Sequence, residues 1–247
     1  KAVRLQAGWA KCEPQADGVY QWDWLDRIVD SALSQGVRPW LQTSYGNPSY
    51  PDGGGIGLSQ GIPTGSALPA WDAWVKALTE RYADRVDTWE IWNEPDHSNE
   101  LSPESYGDFF IRTSSIIRGV QPEACIVGLA LAGPLDYAEG FLKRLGERGE
   151  SRLLSRLAFH YYPHNPDHNV DQVIEAVTEL LRQHAPHAVP YQGETGAPSE
   201  TTGFLALRHT EWSERKQAVW NLRRLLAHHA RGVAMNLFQL ADMQYAK

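Results

Sequence analysis

Asp23-Trp24-Leu25-Asp26-Arg27-Ile28-Val29-Asp30-Ser31-Ala32-Leu33-Ser34-Gln35-Gly36-Val37-Arg38-Pro39-Trp40-Leu41-Gln42-Thr43 changes its hydrophobic period at a glycine. Before Gly36, the residues Leu25, Ile28, Val29, Ala32 and Leu33 recur at i, i+3, i+4, i+7 and i+8. That spacing is one buried stripe of a helix, with Asp23 as its cap and Gly36 as its stop. After the glycine, residues 37–43 read as a strand, and residues 3–7 read as another one upstream. Two strands joined through a helix run parallel in one sheet.

The same unit repeats along the chain. Trp71, Trp74, Val75, Leu78 and Tyr82 mark a helix before a strand at 86–92. Ser102-Pro103, an N-cap with proline at the first helical position, opens a helix through Tyr106, Phe109, Phe110, Ile116, Ile117 and Val120. Strands at 125–130, 157–162, 188–193 and 233–240 follow, separated by helical stripes. These are Tyr137, Phe141, Leu142, Leu145; then Val173, Ile174, Val177, Leu180, Leu181; then Val219, Trp220, Leu222, Leu225, Leu226. Seven strands with six intervening helices make an α/β chain built on a parallel sheet. A dinucleotide-binding sheet would carry a Gly-rich turn after its first strand, and none is present, so a (β/α)8 barrel is the better expectation. One strand is lacking from eight. We therefore expect residues 1–247 to form a single catalytic barrel domain without the first strand and its flanking helices, incomplete at both ends by roughly 40–60 residues. The glycine cluster 53–57 lies within a long loop, 44–69, and reads as flexible chain at the C-terminal mouth, where barrel active sites are built.

With 30 acidic residues against 23 basic, the formal net charge is −7, which argues against a nucleic-acid partner. No apolar run approaches the roughly 18 residues of a membrane span, so no membrane partner is expected. Two cysteines form neither a disulfide scaffold nor a metal motif. His160, His164, His168 and Asp167 lie in a stretch broken by Pro163 and Pro166, so helical spacing brings no ligands together there. No metal or other cofactor is expected.

Two carboxylates stand immediately beyond strands: Glu94 in Trp92-Asn93-Glu94-Pro95-Asp96 and Glu194 in Gly193-Glu194-Thr195-Gly196. On a parallel barrel, the ends of different strands converge on one mouth. Two carboxyls there can flank one bond, as glycoside hydrolysis requires, one giving a proton to the leaving oxygen and the other attacking or activating water. Either glutamate alone would more often be a solvated loop charge; the pair is the signal.

Together with His160-Tyr161-Tyr162, these stretches resemble glycoside hydrolase clan A, whose acid/base and nucleophile lie at the ends of strands four and seven. If the first strand is lacking, Glu94 and Glu194 fall at those positions. Within the clan, Glu90-Ile91-Trp92-Asn93-Glu94-Pro95-Asp96 is most similar to the β-xylosidase and α-L-iduronidase family. The resemblance implies a retaining glycosidase with Glu94 as general acid/base and Glu194 as nucleophile. It further implies that Asn93 bonds the sugar 2-hydroxyl, Tyr162 holds Glu194, His160 lines the sugar pocket, and Arg4 keeps Glu194 ionised. At the last strand, where clan members carry a sugar-stacking tryptophan, this chain has Phe238.

Trp9, Tyr45, Tyr50 and Trp92 lie at or beyond strand ends and offer ring faces to a sugar, with packing beneath a loop expected for at least half of them. Glu90 is expected to be an interior ion-pair partner of Arg4 or Arg38, and His228 and His229 to place positive charge at a helix C-terminus. The expected partner is a carbohydrate substrate, a β-linked oligosaccharide or glycoside. The competing readings are a non-catalytic carbohydrate-binding barrel, an inactive barrel fragment, and a barrel enzyme that uses one glutamate as a base for other chemistry.

Overall fold

The computed structural model describes residues 1–58, 60–98, 101–201 and 206–239. Seven strands, β1 (Ala2–Gln6), β2 (Arg38–Thr43), β3 (Thr88–Ile91), β4 (Cys125–Leu131), β5 (Arg156–His160), β6 (Val189–Thr195) and β7 (Met235–Leu237), pair in parallel in chain order. A short α1 (Trp9–Cys12) precedes six longer helices: α2 (Asp23–Ser34), α3 (Leu68–Tyr82), α4 (Pro103–Val120), α5 (Leu135–Glu147), α6 (Val170–His184) and α7 (Glu214–His229). The sheet is curled. Arg4 on β1 reaches Glu194 on β6 at 2.7 Å, whereas five strand spacings in a flat sheet would part them by about 24 Å. The result is a nearly closed α/β barrel of the (β/α)8 type, in which β1 and β7 share no ladder among the described residues. No described helix is long and apolar enough to cross a membrane.

Strand alternation sorts the side chains into two layers. Leu41, Trp89, Ile126 and Leu157 face the helices and join the large outer core. Trp40, Val127, Ala158 and Tyr191 meet inside the barrel, with the Trp40 and Tyr191 rings 5.2 Å apart. The alternation fails near the C-terminal mouth. Trp92, just beyond β3, has φ 65° and turns out to pack on Trp71 and Phe109. On β4 an extra residue is inserted between Gly128 and Leu131. On β6 Gly193 is the extra residue, since Phe159 and His160 pair with Gln192 and Glu194.

Five expectations are corrected. The cap of α2 is Trp22, with Asp23 the first helical residue and no side-chain cap bond. The glycine-rich stretch is packed backbone, not loose chain: Asn47 donates to Gly53 O and Gly46 to Gly55 O. A Cβ at Gly53 would run into the Asn47 carbonyl, and one at Gly54 into that of Gly61. On α7 the stripe Val219, Leu222, Leu225, Leu226 is about half exposed, while Trp220, Arg224 and His228 are buried. The helix rests on the barrel through its second face, and no described element covers the first. Burial of His228 pushes its imidazole down to about 4, so it is neutral and adds no charge to the helix end. The last strand is shorter than its sequence pattern, and its expected final residue, Leu240, lies outside the described residues.

Candidate active site

Arg4 is the floor of the mouth. Its Nε donates to Glu90 Oε2 at 2.5 Å, its Nη1 to Glu194 Oε2 at 2.7 Å and its Nη2 to Asn93 Oδ1 at 2.7 Å. Burial works against the guanidinium charge, but Glu90 and Glu194 outweigh it and hold the group above its ordinary range. Glu90 is thus the interior partner expected for Arg4. Burial pushes its carboxyl up, with Arg4 pulling the other way. Gln42, inward on β2, donates to Glu90 Oε2 at 3.0 Å, to the Trp92 carbonyl at 2.9 Å and to Asn93 Oδ1 at 3.2 Å.

Glu94 follows two turns of the backbone. Trp92 and Glu94 both adopt left-handed φ, 65° and 46°, before Pro95 starts a single 3-10 turn, Pro95–His97. With Trp92 turned out, Asn93 reaches Arg4 and Glu94 reaches His160, whose Nδ1 lies 2.6 Å from Glu94 Oε1. The other oxygen, Oε2, lies 3.5 Å from His97 Nε2 on the exposed rim. Burial, reinforced by Asp96 and opposed by His97 and Arg4, raises the Glu94 carboxyl to about 7. Burial also pushes His160 down to about 3, so its ring is neutral.

Glu194 depends on the β6 bulge. Tyr191 faces the interior and Gln192 the helices, so unbroken alternation would turn Glu194 outward with Gln192. The extra residue at Gly193 reverses the parity and brings Glu194 level with His160. A Cβ at Gly193 would sit 3.0 Å from Ala158 Cβ and 3.3 Å from His160 Nε2, so only glycine fits without displacement. Once inside, Glu194 accepts from Tyr162 Oη at 2.7 Å on Oε1 and from Arg4 on Oε2. The Tyr162 hydroxyl is held strongly protonated, by burial first and then by Glu194. One oxygen of Glu94 and one of Glu194 lie within 4.8 Å of each other.

The mouth therefore gathers Arg4, Asn93, Glu94, His160, Tyr162 and Glu194. Tyr45 joins it, half-buried, its hydroxyl accepting from Asn93 Nδ2 at 3.0 Å and its ring edge-on to Trp92. Phe238 lies half-buried just past β7, its N–H donated to the Thr195 carbonyl at 2.7 Å. Trp9 does not join. It is fully buried, stacked on Tyr50 and Trp74, with its indole N–H on Glu13 Oε2 at 2.7 Å, and has no face for a sugar. Trp92 is buried in the same aromatic layer. His160 is nearly enclosed, at 5% exposure, and its Nδ1 lies 2.6 Å from Glu94 Oε1 and 3.8 Å from Glu194 Oε2, so it touches the two carboxylates more than it faces the open mouth. Glu94, His160 and Glu194 offer ligand atoms at a metal-like spacing. Their donors are already engaged by Arg4, Tyr162 and the His160–Glu94 bond, an arrangement suited to sharing a proton. Gln42 and His97 escaped the sequence reading. Gln42 had a signal, a polar residue two positions from inward Trp40 on β2, while His97 is placed by the 3-10 turn alone.

No family model matches the chain. A β-xylosidase from Geobacillus stearothermophilus is 28% identical over 150 residues, 52% of this chain and 28% of that protein. A family 39 glycoside hydrolase from Bacteroides cellulosilyticus WH2 superposes with a TM-score of 0.72 at 18% identity, over 96% of this chain and 50% of that one. A family 39 β-xylosidase from Caulobacter crescentus gives 0.71 at 20% identity, over 96% and 55%. A family 44 xyloglucanase from Paenibacillus polymyxa gives 0.62 at 13% identity, over 89% and 60%. The chain thus spans about half the length of these solved structures and less of the curated relative. What it shares with the solved structures is the barrel that brings Glu94 and Glu194 to one mouth.

Proposed function

We propose that this chain carries the site of a retaining glycoside hydrolase, with Glu94 as general acid/base and Glu194 as nucleophile. The observation that carries the reading is the approach of the two carboxylates to within 4.8 Å from the ends of different strands. Retaining enzymes hold their pair about 5–5.5 Å apart, whereas inverting enzymes need about 6.5–9.5 Å to admit a water. Their surroundings also differ. Glu94, raised to about 7, keeps a proton to give. Glu194 rests on the Arg4 cation and the Tyr162 hydroxyl, which stabilise negative charge.

In the first step a Glu194 oxygen attacks the anomeric carbon as its bond to the leaving oxygen breaks, and Glu94 protonates that oxygen. Neutral His160, with its proton on Nδ1, donates to Glu94 Oε1 and leaves Oε2 to carry the transferred proton. Once Glu194 becomes an ester its charge is gone, and Glu94, now a carboxylate, takes a proton from the attacking water. Asn93 spends its Oδ1 on Arg4 and Gln42 and one amide hydrogen on Tyr45, which leaves a hydrogen for the sugar 2-hydroxyl. The β-xylosidase relative and the β-xylosidase neighbour make a β-xyloside the substrate class to test first.

The test is an aryl-glycoside panel led by 4-nitrophenyl β-D-xyloside, with wild type, Glu194→Gly and Glu94→Ala, each with and without azide. Azide should restore turnover in both variants and give glycosyl azides of opposite anomeric configuration. Full activity in either variant without azide would remove that residue from its role.

A further inference from the structure

We propose that Gln192, held by Arg224, is the positioning residue that aims Glu194 into the mouth. The proposal rests on Glu194 being the nucleophile. The β6 bulge is visible from both neighbours: residues 159–160 of β5 face 192–194, and residues 235–237 of β7 face 192–195. A bulge leaves local backbone groups without their ladder partners. Here the fully buried Gln192 side chain supplies them. Its Nε2 donates to the Phe159 carbonyl at 3.2 Å and to the Glu194 carbonyl at 2.7 Å, which spans the bulge from strand to strand. With both amide hydrogens so used, Oε1 must accept, and its donor is Arg224 Nη2 at 3.3 Å.

Arg224 is unusual in its own right. It is fully buried on α7, and no described carboxylate forms an ion pair with it. Its contacts are the Pro166 carbonyl at 3.1 Å, the face of Tyr161 at 5.3 Å and Gln192. Burial disfavours this cation, Asp167 and Tyr161 act the other way, its Nε has no partner, and what its Nη1 and Nη2 donate goes to the Pro166 carbonyl and to Gln192. The donation fixes the orientation of the Gln192 amide, since a flipped amide would set two N–H groups against the guanidinium and an oxygen against two carbonyls. The amide then fixes the Glu194 carbonyl, and so the direction in which its Cα–Cβ bond leaves the strand. Thr195, whose hydroxyl donates to the Tyr161 carbonyl at 2.8 Å, closes the far side of the bulge.

The experiment compares wild type, Gln192→Met and Arg224→Met in turnover of 4-nitrophenyl β-D-xyloside. Functional sites are counted by the dinitrophenolate burst from 2,4-dinitrophenyl 2-deoxy-2-fluoro-β-D-xyloside, and a crystal structure of Gln192→Met is determined alongside. Methionine keeps the volume and removes the amide. We expect kcat per titrated site to fall about 10²-fold in Gln192→Met and less in Arg224→Met, with KM nearly unchanged, because a displaced nucleophile costs rate more than affinity. In the crystal structure, Glu194 should lose Tyr162 or Arg4. Wild-type kcat per site with fewer sites, or a Glu194 still bonded to both partners, would overturn the proposal and leave Gln192 a packing residue. Full activity of Glu194→Gly would instead remove the nucleophile reading beneath it. If the xylosides are not turned over, the crystal structure alone decides.

Discussion

In the role proposed for it, Glu94 has to be a poor acid to be a useful one. Its carboxyl is lifted from an ordinary 4.5 to about 7, by burial first and then by Asp96, against the pull of His97 and Arg4. On the proposed mechanism, the rate of glycosyl transfer to Glu194 should therefore fall about tenfold per unit above a limb near pH 7. Asp96→Asn should move that limb down and His97→Gln should move it up, read as kcat/KM against pH. Limbs that move together would refute this division of labour. Stability follows with a definite sign. A folded-state value above the unfolded one stabilises fully below about 4.5 and loses that contribution as pH rises through about 7. A shift from 4.5 to about 7 corresponds to about 3 kcal/mol at most. Glu94→Gln, which cannot ionise, should raise Tm near pH 8 and change it little near pH 5. Equal shifts at both would show that ionised Glu94 is not a source of strain in the fold.

The elements were readable because each needs one period sustained over several residues. Helices α2 to α6 lie where spacings such as Leu25–Val29, Trp71–Leu78 and Phe109–Ile117 put them, and all seven strands overlap their expected stretches, β7 as a shorter piece. What single-residue events decide was not readable. Alternation would place Trp92 with Glu90, yet its left-handed φ turns it outward; it would turn Glu194 outward, yet the extra residue at Gly193 turns it in. Glu94 and Glu194, the proposed acid and nucleophile, were legible as chemistry and position, but their convergence rests on two departures from period 2. The glycines of the 44–69 loop teach the same lesson. Composition suggests mobility, whereas close backbone approach is the reason for them. Gly53→Ala should lower Tm, because its Cβ meets the Asn47 carbonyl, and should weaken the mouth at Tyr45. Gly61→Ala, with no described atom within 4 Å of the new methyl, should change stability by less than about 0.5 kcal/mol and leave Tm close to that of wild type. Indistinguishable thermal melts for the two variants would contradict the packed-loop account.

At the scale of the molecule, the barrel presents a seam. β1 and β7 have no described strand on their outer sides, and α7 turns Val219, Leu222, Leu225 and Leu226 to solvent at 44–56% exposure. A side chain of this kind gains about 1.5–3 kcal/mol on full burial, so four half-exposed ones on one face hold several kcal/mol in reserve. Unpaired strand edges beside such a face add hydrogen-bonding groups that seek a partner. The 247-residue chain should therefore self-associate at micromolar concentration and bind a hydrophobic dye such as ANS. Leu222→Glu with Leu226→Lys should shift it toward monomer and reduce dye binding. Tm should barely change, because these side chains contribute little to the folded monomer. That combination separates a surface effect from a core one, since a core change would lower Tm and raise dye binding together. Sedimentation velocity reads the association directly, and a wild-type chain that sediments as a monomer without binding dye would show that the α7 face is covered within the molecule.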